Sequence, residues 1–442
     1  SFVLANPPNG SATTTLPIMR TLANLLAGCA RGGGPACGRV FAASATGRGP
    51  RPADTLQAVL AIARFPARNV GRLFALPQPA VYTPGLTVAP TSWALAVKYV
   101  GSGMNAPGRM AFDALGNAWI GNNFASPGTT AGVVATGLTP TGQPLAGSPF
   151  GGGGIRGVGF GTAVDGQGRV WLANYADDSV SLLNPDGSPA SPTAFRDGGI
   201  SKPQGVAVDQ QGGVWIANFG NGTVTRYAGG DHAQASVFGG LAKPFSVAVD
   251  AQGAAWVTDN ALSPRRGAVV RIAADGTVGA PVTGGGLRSP MGIAVDSAGT
   301  KWVANFAGQS VTAITPEGRI ARGSPFRGAA LRGPWGVAVD GEDNVWVADF
   351  LGARLTELCG RRTSACPPGT RTGQAVSPAG TGYDTGALQH LTAVQVDPSG
   401  NVWVADNWST GSSLGQFVGG DGVVQYIGIA APVRTPLIGP PQ

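Results

Sequence analysis

Apolar and polar positions recur in one order along most of the chain. Residues 201–227, "SKPQGVAVDQQGGVWIANFGNGTVTRY", show the unit: a Pro, a short apolar run closed by Asp, a Gly-bearing turn, then an apolar run built on Trp and closed by Asn. The unit occurs seven times, with landmarks at Asp113/Trp119, Asp165/Trp171, Asp209/Trp215, Asp250/Trp256, Asp296/Trp302, Asp340/Trp346 and Asp397/Trp403. Runs such as "GVAVD" and "GVWIAN" are too short for helices and rich in residues that favour strands. Each unit therefore predicts two strands joined by a tight Asp–Gly reversal, with "TVTRYA" as a third strand and the residues near "SVF" as a fourth. Successive landmark Trp residues stand 41 to 57 residues apart, the period of propeller blades.

One such meander cannot bury both of its faces, whereas a ring of them can. The predicted fold is mainly β: a seven-bladed β-propeller, with six blades as the alternative, behind a small α-helical N-terminal region. A strand at 93–100 precedes the first unit and "GVVQYIGIAA" follows the last, so the two ends are expected to share the closing blade and protect its edges. Ahead of the strands the pattern changes to helical spacing in "LPIMRTLANLLAGCA", "RPADTLQAVLAIARF" and "PARNVGRLFAL", with Asp54 as a candidate N-cap. The resulting plan is an arm at 1–15, a helical region at 16–76, a Pro-rich connector at 77–90, the propeller at 91–431 and a Pro-rich arm at 432–442.

Composition changes this picture in three places. The 72 Gly and 35 Pro are turn residues between short apolar runs, so they do not argue for disorder. The net charge of +7 comes almost wholly from scattered Arg; a specific nucleic-acid surface is not expected, although an anionic polymer remains a candidate partner. No apolar run reaches the ~20 residues of a transmembrane segment. Four Cys fall in two close pairs, Cys29/Cys37 and Cys359/Cys366, without zinc spacing, and only two His exist in the chain. Two local disulfides and an oxidising compartment are the expectation, and the start at Ser1 without Met reads as a processed, exported chain.

The unit P-x-G-V-A-V-D-x-x-G-x-V-W-V-A-N/D resembles the NHL-repeat propellers and the related virginiamycin B (streptogramin) lyases over roughly residues 90–431. The helical preface with its paired Cys and the ending "GIAAPVRTPLIGPPQ" are similar to those of secreted bacterial proteins with NHL-like repeats. The resemblance implies an extracellular or periplasmic protein. It also implies a place for chemistry: such lyases and the propeller lactonases gather His and carboxylates, with a divalent metal, at the mouth of the central channel. The matching positions at the start of each first strand are Arg109, Gly161, Gly205, Ser246, Gly292, Gly336 and Ala393. None can serve as the general acid–base or metal ligand that this chemistry needs.

The expectation is therefore a secreted, non-catalytic scaffold without a cofactor, which binds a protein partner or self-assembles through its arms and a rim loop. The alternative is a metal-dependent lyase or lactonase with Ca²⁺ or Mg²⁺ at the channel mouth and His390 as its catalytic candidate. For the metal, Asp259, Asp349 and Asp406 are the candidates. They belong to a series with Asn122, Asn174, Asn218 and Asn305, which also reads as an Asx turn closing each second strand. The longest break in the repeat, 359–389, predicts a Cys-stapled rim loop, with Arg361, Arg362, Arg371, Tyr383 and the nearby Trp408 as recognition residues.

Overall fold

The structure, a computed structural model, describes residues 2–4, 15–47, 50–125, 132–157, 161–261, 267–409 and 419–441. Wherever the apolar runs recur the chain forms short antiparallel strands, and the described residues contain seven separate sheets. The sheet of the 201–227 unit runs Pro203–Val208, Val214–Asn218, Thr223–Tyr227 and Ala235–Phe238 in chain order. In the five three-stranded sheets the fourth strand is reduced to isolated bridges such as Ala135↔Phe150, Val180↔Phe195, Val311↔Phe326 and Leu355↔Tyr383. The first strand of each sheet packs beside the first strand of the next, and that of the last sheet packs beside that of the first.

The two ends of the repeat do share a sheet. Ala96–Val100 pairs antiparallel with Gly419–Tyr426, from Ala96↔Tyr426 to Val100↔Gly422, and Phe2–Leu4 adds an outermost strand. An exposed ladder of unpaired backbone groups is thereby covered from within the same chain.

Asp and Trp of each unit lock together. In all seven units one carboxylate oxygen accepts backbone N–H groups of the turn, while the other accepts the indole N–H six residues on, at 2.8 to 3.2 Å. The seven indoles are buried. Trp215, for example, shares its cluster with Val247, Val249, Ala255 and Val257 of the following sheet. Most also meet an aromatic ring from the outer edge of their own sheet: Trp119 with Phe150, Trp171 with Phe195, Trp215 with Phe238, Trp302 with Phe326 and Trp346 with Tyr383.

The helical preface is α1 (Thr15–Ser44), α2 (Thr55–Arg64) and α3 (Val70–Phe74). α1 is longer than the spacing suggests, but it breaks at Gly33, whose φ of 61° suits a residue without Cβ. The Cys29–Cys37 disulfide spans the break. Asp54 caps α2 by accepting from the Gln57 N–H at 2.7 Å, as expected. Arg64, in the last turn of α2, reaches across to Glu342, Asp340 and the Ile429 carbonyl.

The C-terminal arm docks on its own sheets. Thr435 donates to the Asp113 carbonyl at 2.6 Å, Ala431 donates to Asp340 at 3.3 Å, and Val433, Thr435, Leu437, Gly439 and Pro441 line the space enclosed by the first strands. The arm is apolar enough to bury itself against its own sheets. Of the N-terminal arm, residues 5–14 lie outside the described residues.

Candidate functional site

The first strands surround a channel whose wall follows from their alternation. Residues at the Val206 and Val208 positions pack toward the preceding sheet and those at the Ala207 position toward the following one, and the edges of both sets, from Ala111 and Ala163 to Val337 and Ala338, line the channel. One end, where the first strands finish, is floored by residues 433–441. The other end, where they begin, is the mouth at which the sequence resemblance placed chemistry.

The structure gives a physical reason for the Gly residues at that mouth. A Cβ on Gly205, Gly292 or Gly336 would lie 2.7 to 2.9 Å from a backbone oxygen of the next first strand. The strands approach too closely there for a His or a carboxylate. Arg109 is the exception in charge and size. It runs from the first sheet to the fourth, where its Nη1 donates to Ser246 Oγ at 2.8 Å.

Above this neck lies a group of aromatic side chains that sequence reasoning missed. Phe245 and Trp335 each follow the Pro that opens a first strand; Phe219, Phe306 and Phe350 each follow the Asn or Asp that closes a second strand. All five positions lie on the mouth side, and they touch in sequence. Ring centroids are 6.3 Å apart for Phe219–Phe245, 5.8 Å for Phe245–Trp335, 5.7 Å for Phe306–Trp335 and 5.1 Å for the stacked pair Trp335–Phe350. Trp335, Phe306 and Phe219 are half-buried, and Lys243 Nζ stands 5.0 Å from the Phe219 ring. The signal was present as "NF", "DF", "PF" and "PW", but only the spacing of these dipeptides relative to the strands places them on one face.

His390 joins the end of this group. It stacks on Phe350 at 4.6 Å and 10°, and its Nδ1 lies 2.9 Å from the Phe350 carbonyl oxygen. No carboxylate contacts it among the described residues.

The acidic metal candidates are separated and already engaged. Asp259 accepts from the Ala242 and Lys243 N–H groups. Asp349 accepts from Arg332 N–H and is paired with Arg354 at 3.0 Å. Asp406 accepts from Gln389 N–H and lies 3.2 Å from Lys98, while burial pushes its carboxyl up to about 6. The Asn members tie the same hairpin: Asn218 Nδ2 donates to Thr223 and Thr225 hydroxyls. The series closes strands, as an Asx turn does. Among the described residues no three His, Cys, Asp or Glu are grouped to hold a cation.

Segment 359–389 is only partly a rim loop. Cys359–Cys366 form the second disulfide, Arg361 and Arg371 are exposed, and Arg362 pairs with Asp343 at 3.1 Å. Tyr383 is not available to a partner, which corrects its placing as a recognition residue. It is 1% exposed, bridges Leu355 as the outer edge of its sheet, stacks near Trp346 and donates to Glu357 at 2.9 Å. It takes the place that Phe326 takes one sheet earlier, and the recurring "SPF" of residues 148–150 and 324–326 was the signal for that place. Trp408 is half-buried against Phe124, 5.4 Å away, beside the mouth. Replacing both Cys359 and Cys366 by Ala is expected to lower stability by about 2 kcal/mol in urea unfolding, the loop-closure value for so short a ring.

Residues 201–227 match the NHL repeat family model, and no curated protein sequence matches the chain. Among solved structures the chain is similar to a streptogramin B lyase, at 14% identity over 75% of this chain and 96% of that one, with a TM-score of 0.54. It is similar to a catalytically inactive virginiamycin B lyase from Staphylococcus aureus with quinupristin, at 13% identity over 75% and 98%, with a TM-score of 0.51. Kuenenia stuttgartiensis hydrazine synthase follows at 14% identity over 68% and 93%, also with a TM-score of 0.51. The chain thus carries an NHL repeat and has the fold of virginiamycin B lyase-like propellers.

Proposed function

We propose that the seven sheets are the blades of one closed ring, and that this propeller is a non-catalytic scaffold that recognises a protein partner at its aromatic mouth. The contiguous rings from Phe219 to Phe350 carry this reading. Aromatic side chains are enriched at protein interfaces, and a Trp among them commonly dominates binding. Two disulfides support a place of action outside the cytoplasm, extracellular or periplasmic, as in the secreted bacterial proteins that the sequence resembles. The exposed Arg361 and Arg371 lie near the Asp343 turn, on the face away from the mouth, and offer a separate place for anionic groups.

The test is site-specific photo-crosslinking in the protein's own cells, with a benzophenone amino acid at Trp335 and, as control, at Leu115 in a turn on the opposite face. One recurrent crosslinked protein from position 335 and none from 115 is the expected result. Equal or absent crosslinking at both positions overturns the reading. The enzymatic alternative rests on His390 at the mouth. A metal-dependent activity lost in His390→Ala would establish it; the stacking and carbonyl contact of this His are those of a structural residue.

A further inference from the structure

The channel below the mouth holds an unbalanced charge. Its cavity of 130 Å³ is walled by Val and Ala, floored by residues 433–441 and reached at its upper end by the Arg109 guanidinium. No Asp or Glu lines it among the described residues. Nη1 of Arg109 donates to Ser246, but Nη2 is buried with no hydrogen-bond partner. Thr162, from the neighbouring sheet, lines the same cavity, and its Oγ1 is also buried without a partner. Ser246 Oγ accepts from Arg109, so its own proton remains free to be donated.

An unpaired cation in an apolar enclosure is costly, and buried charges are ordinarily paired. Burial without any opposing carboxylate lowers Arg109 to about 10, still far too high for it to shed its proton near neutrality. Water can satisfy the hydrogen bonds of Nη2 and Thr162 Oγ1, but it leaves the charge uncompensated. Two of these donors, Arg109 and Thr162, line a space that only a small ligand can enter, and the Ser246 hydroxyl meets the guanidinium beside it, so donors from three different sheets are gathered there.

We propose that the channel is a binding site for one small anion, held by Arg109 with the hydroxyls of Ser246 and Thr162 as further donors. The site is independent of recognition at the aromatic mouth. It makes the ligand a keystone across the ring, because Arg109 and Ser246 belong to the first and fourth sheets.

The experiment follows thermal unfolding of the full chain at constant ionic strength in sodium gluconate, an anion too bulky for the cavity. Sodium acetate, sodium phosphate and sodium chloride are titrated separately, and the arms identify which anion is preferred. A saturable rise in Tm with at least one of them is expected, lost in Arg109→Gln and weakened in Thr162→Val. Equilibrium dialysis of the wild-type protein against radiolabelled acetate, phosphate and chloride gives a reading that does not depend on how the variants fold; about one anion bound per chain is expected. Absence of binding by all three in dialysis overturns the proposal, and so does a rise in Tm that persists unchanged in a folded Arg109→Gln protein.

Discussion

Trp215→Ala is expected to lower stability by about 3–5 kcal/mol, the range for removing a large buried aromatic side chain, seen as a drop in the urea midpoint at unchanged m. The indole is fully buried, donates to Asp209 at 2.9 Å, stacks on Phe238 at 5.6 Å and lies under the Arg226 guanidinium at 5.2 Å. It also fills the gap to Val247 and Val257 of the next sheet. Asp209 keeps its ion pair with Arg226 at 2.8 Å in the variant, so no charge is stranded. The loss is therefore one of apolar burial and of the cavity left behind. Trp335→Ala is the internal control: the same atoms are removed from a half-buried place at the mouth, and less than half the loss is expected. Equal losses at both positions would show that the inter-sheet place of Trp215 is not what holds the ring.

That contrast also separates what could be read in the sequence from what could not. Trp215 was legible because its partners are local: the strand register is fixed by alternation and the reversal by Asp209 with Gly212. Repetition then multiplied the signal. Trp335 was illegible because it sits on a strand that reads as any other, and its neighbours Phe245 and Phe306 come from two other sheets. The seven landmark Asp residues were read as turn formers, whereas their second oxygen also anchors the indole; the constant six-residue offset to Trp was visible, but its meaning lay in three dimensions. Tyr383 misled because a long insertion surrounds it. The insertion merely delays the outer edge of its sheet, and burial there is set by Trp346 and Tyr426, 6.0 and 6.4 Å away. In the sequence Arg109 is one of seven strand-opening positions that lack a His or a carboxylate. Only the closed ring shows that it points at Ser246, 137 residues later in the chain.

Arg64→Met is expected to destabilise the protein by about 3–5 kcal/mol at pH 8, because it removes one partner of a buried charge cluster. In the 203–238 sheet, Arg226 stands opposite Trp215 and neutralises Asp209. The same register place opposite Trp346 is held by Glu357, an acid beside the acid Asp340. The missing cation arrives from α2 as Arg64, 2.8 Å from Glu342 and 3.6 Å from Asp340. Glu357 is buried, accepts from Tyr383 and has one oxygen without a partner. Burial pushes it up to about 8; Arg64 opposes that rise and Asp340 adds to it. Folded Glu357 therefore holds a proton that the unfolded chain releases above its ordinary value near 4.5. Its stabilising contribution is complete below pH 4.5 and is lost as pH rises to about 8, at a slope of at most about 1.4 kcal/mol per pH unit. Asp406 adds a loss of the same sign, but only up to about pH 6. Without Arg64 the Glu357 carboxyl rises further, so the penalty of Arg64→Met grows from pH 6 to pH 9. Glu357→Gln removes the titrating group, and the double variant is expected to recover part of the loss and to flatten the profile. Urea unfolding of the four proteins between pH 5 and pH 9 decides it. A penalty for Arg64→Met that is constant with pH and unrelieved by Glu357→Gln would mean that α2 is held by packing alone.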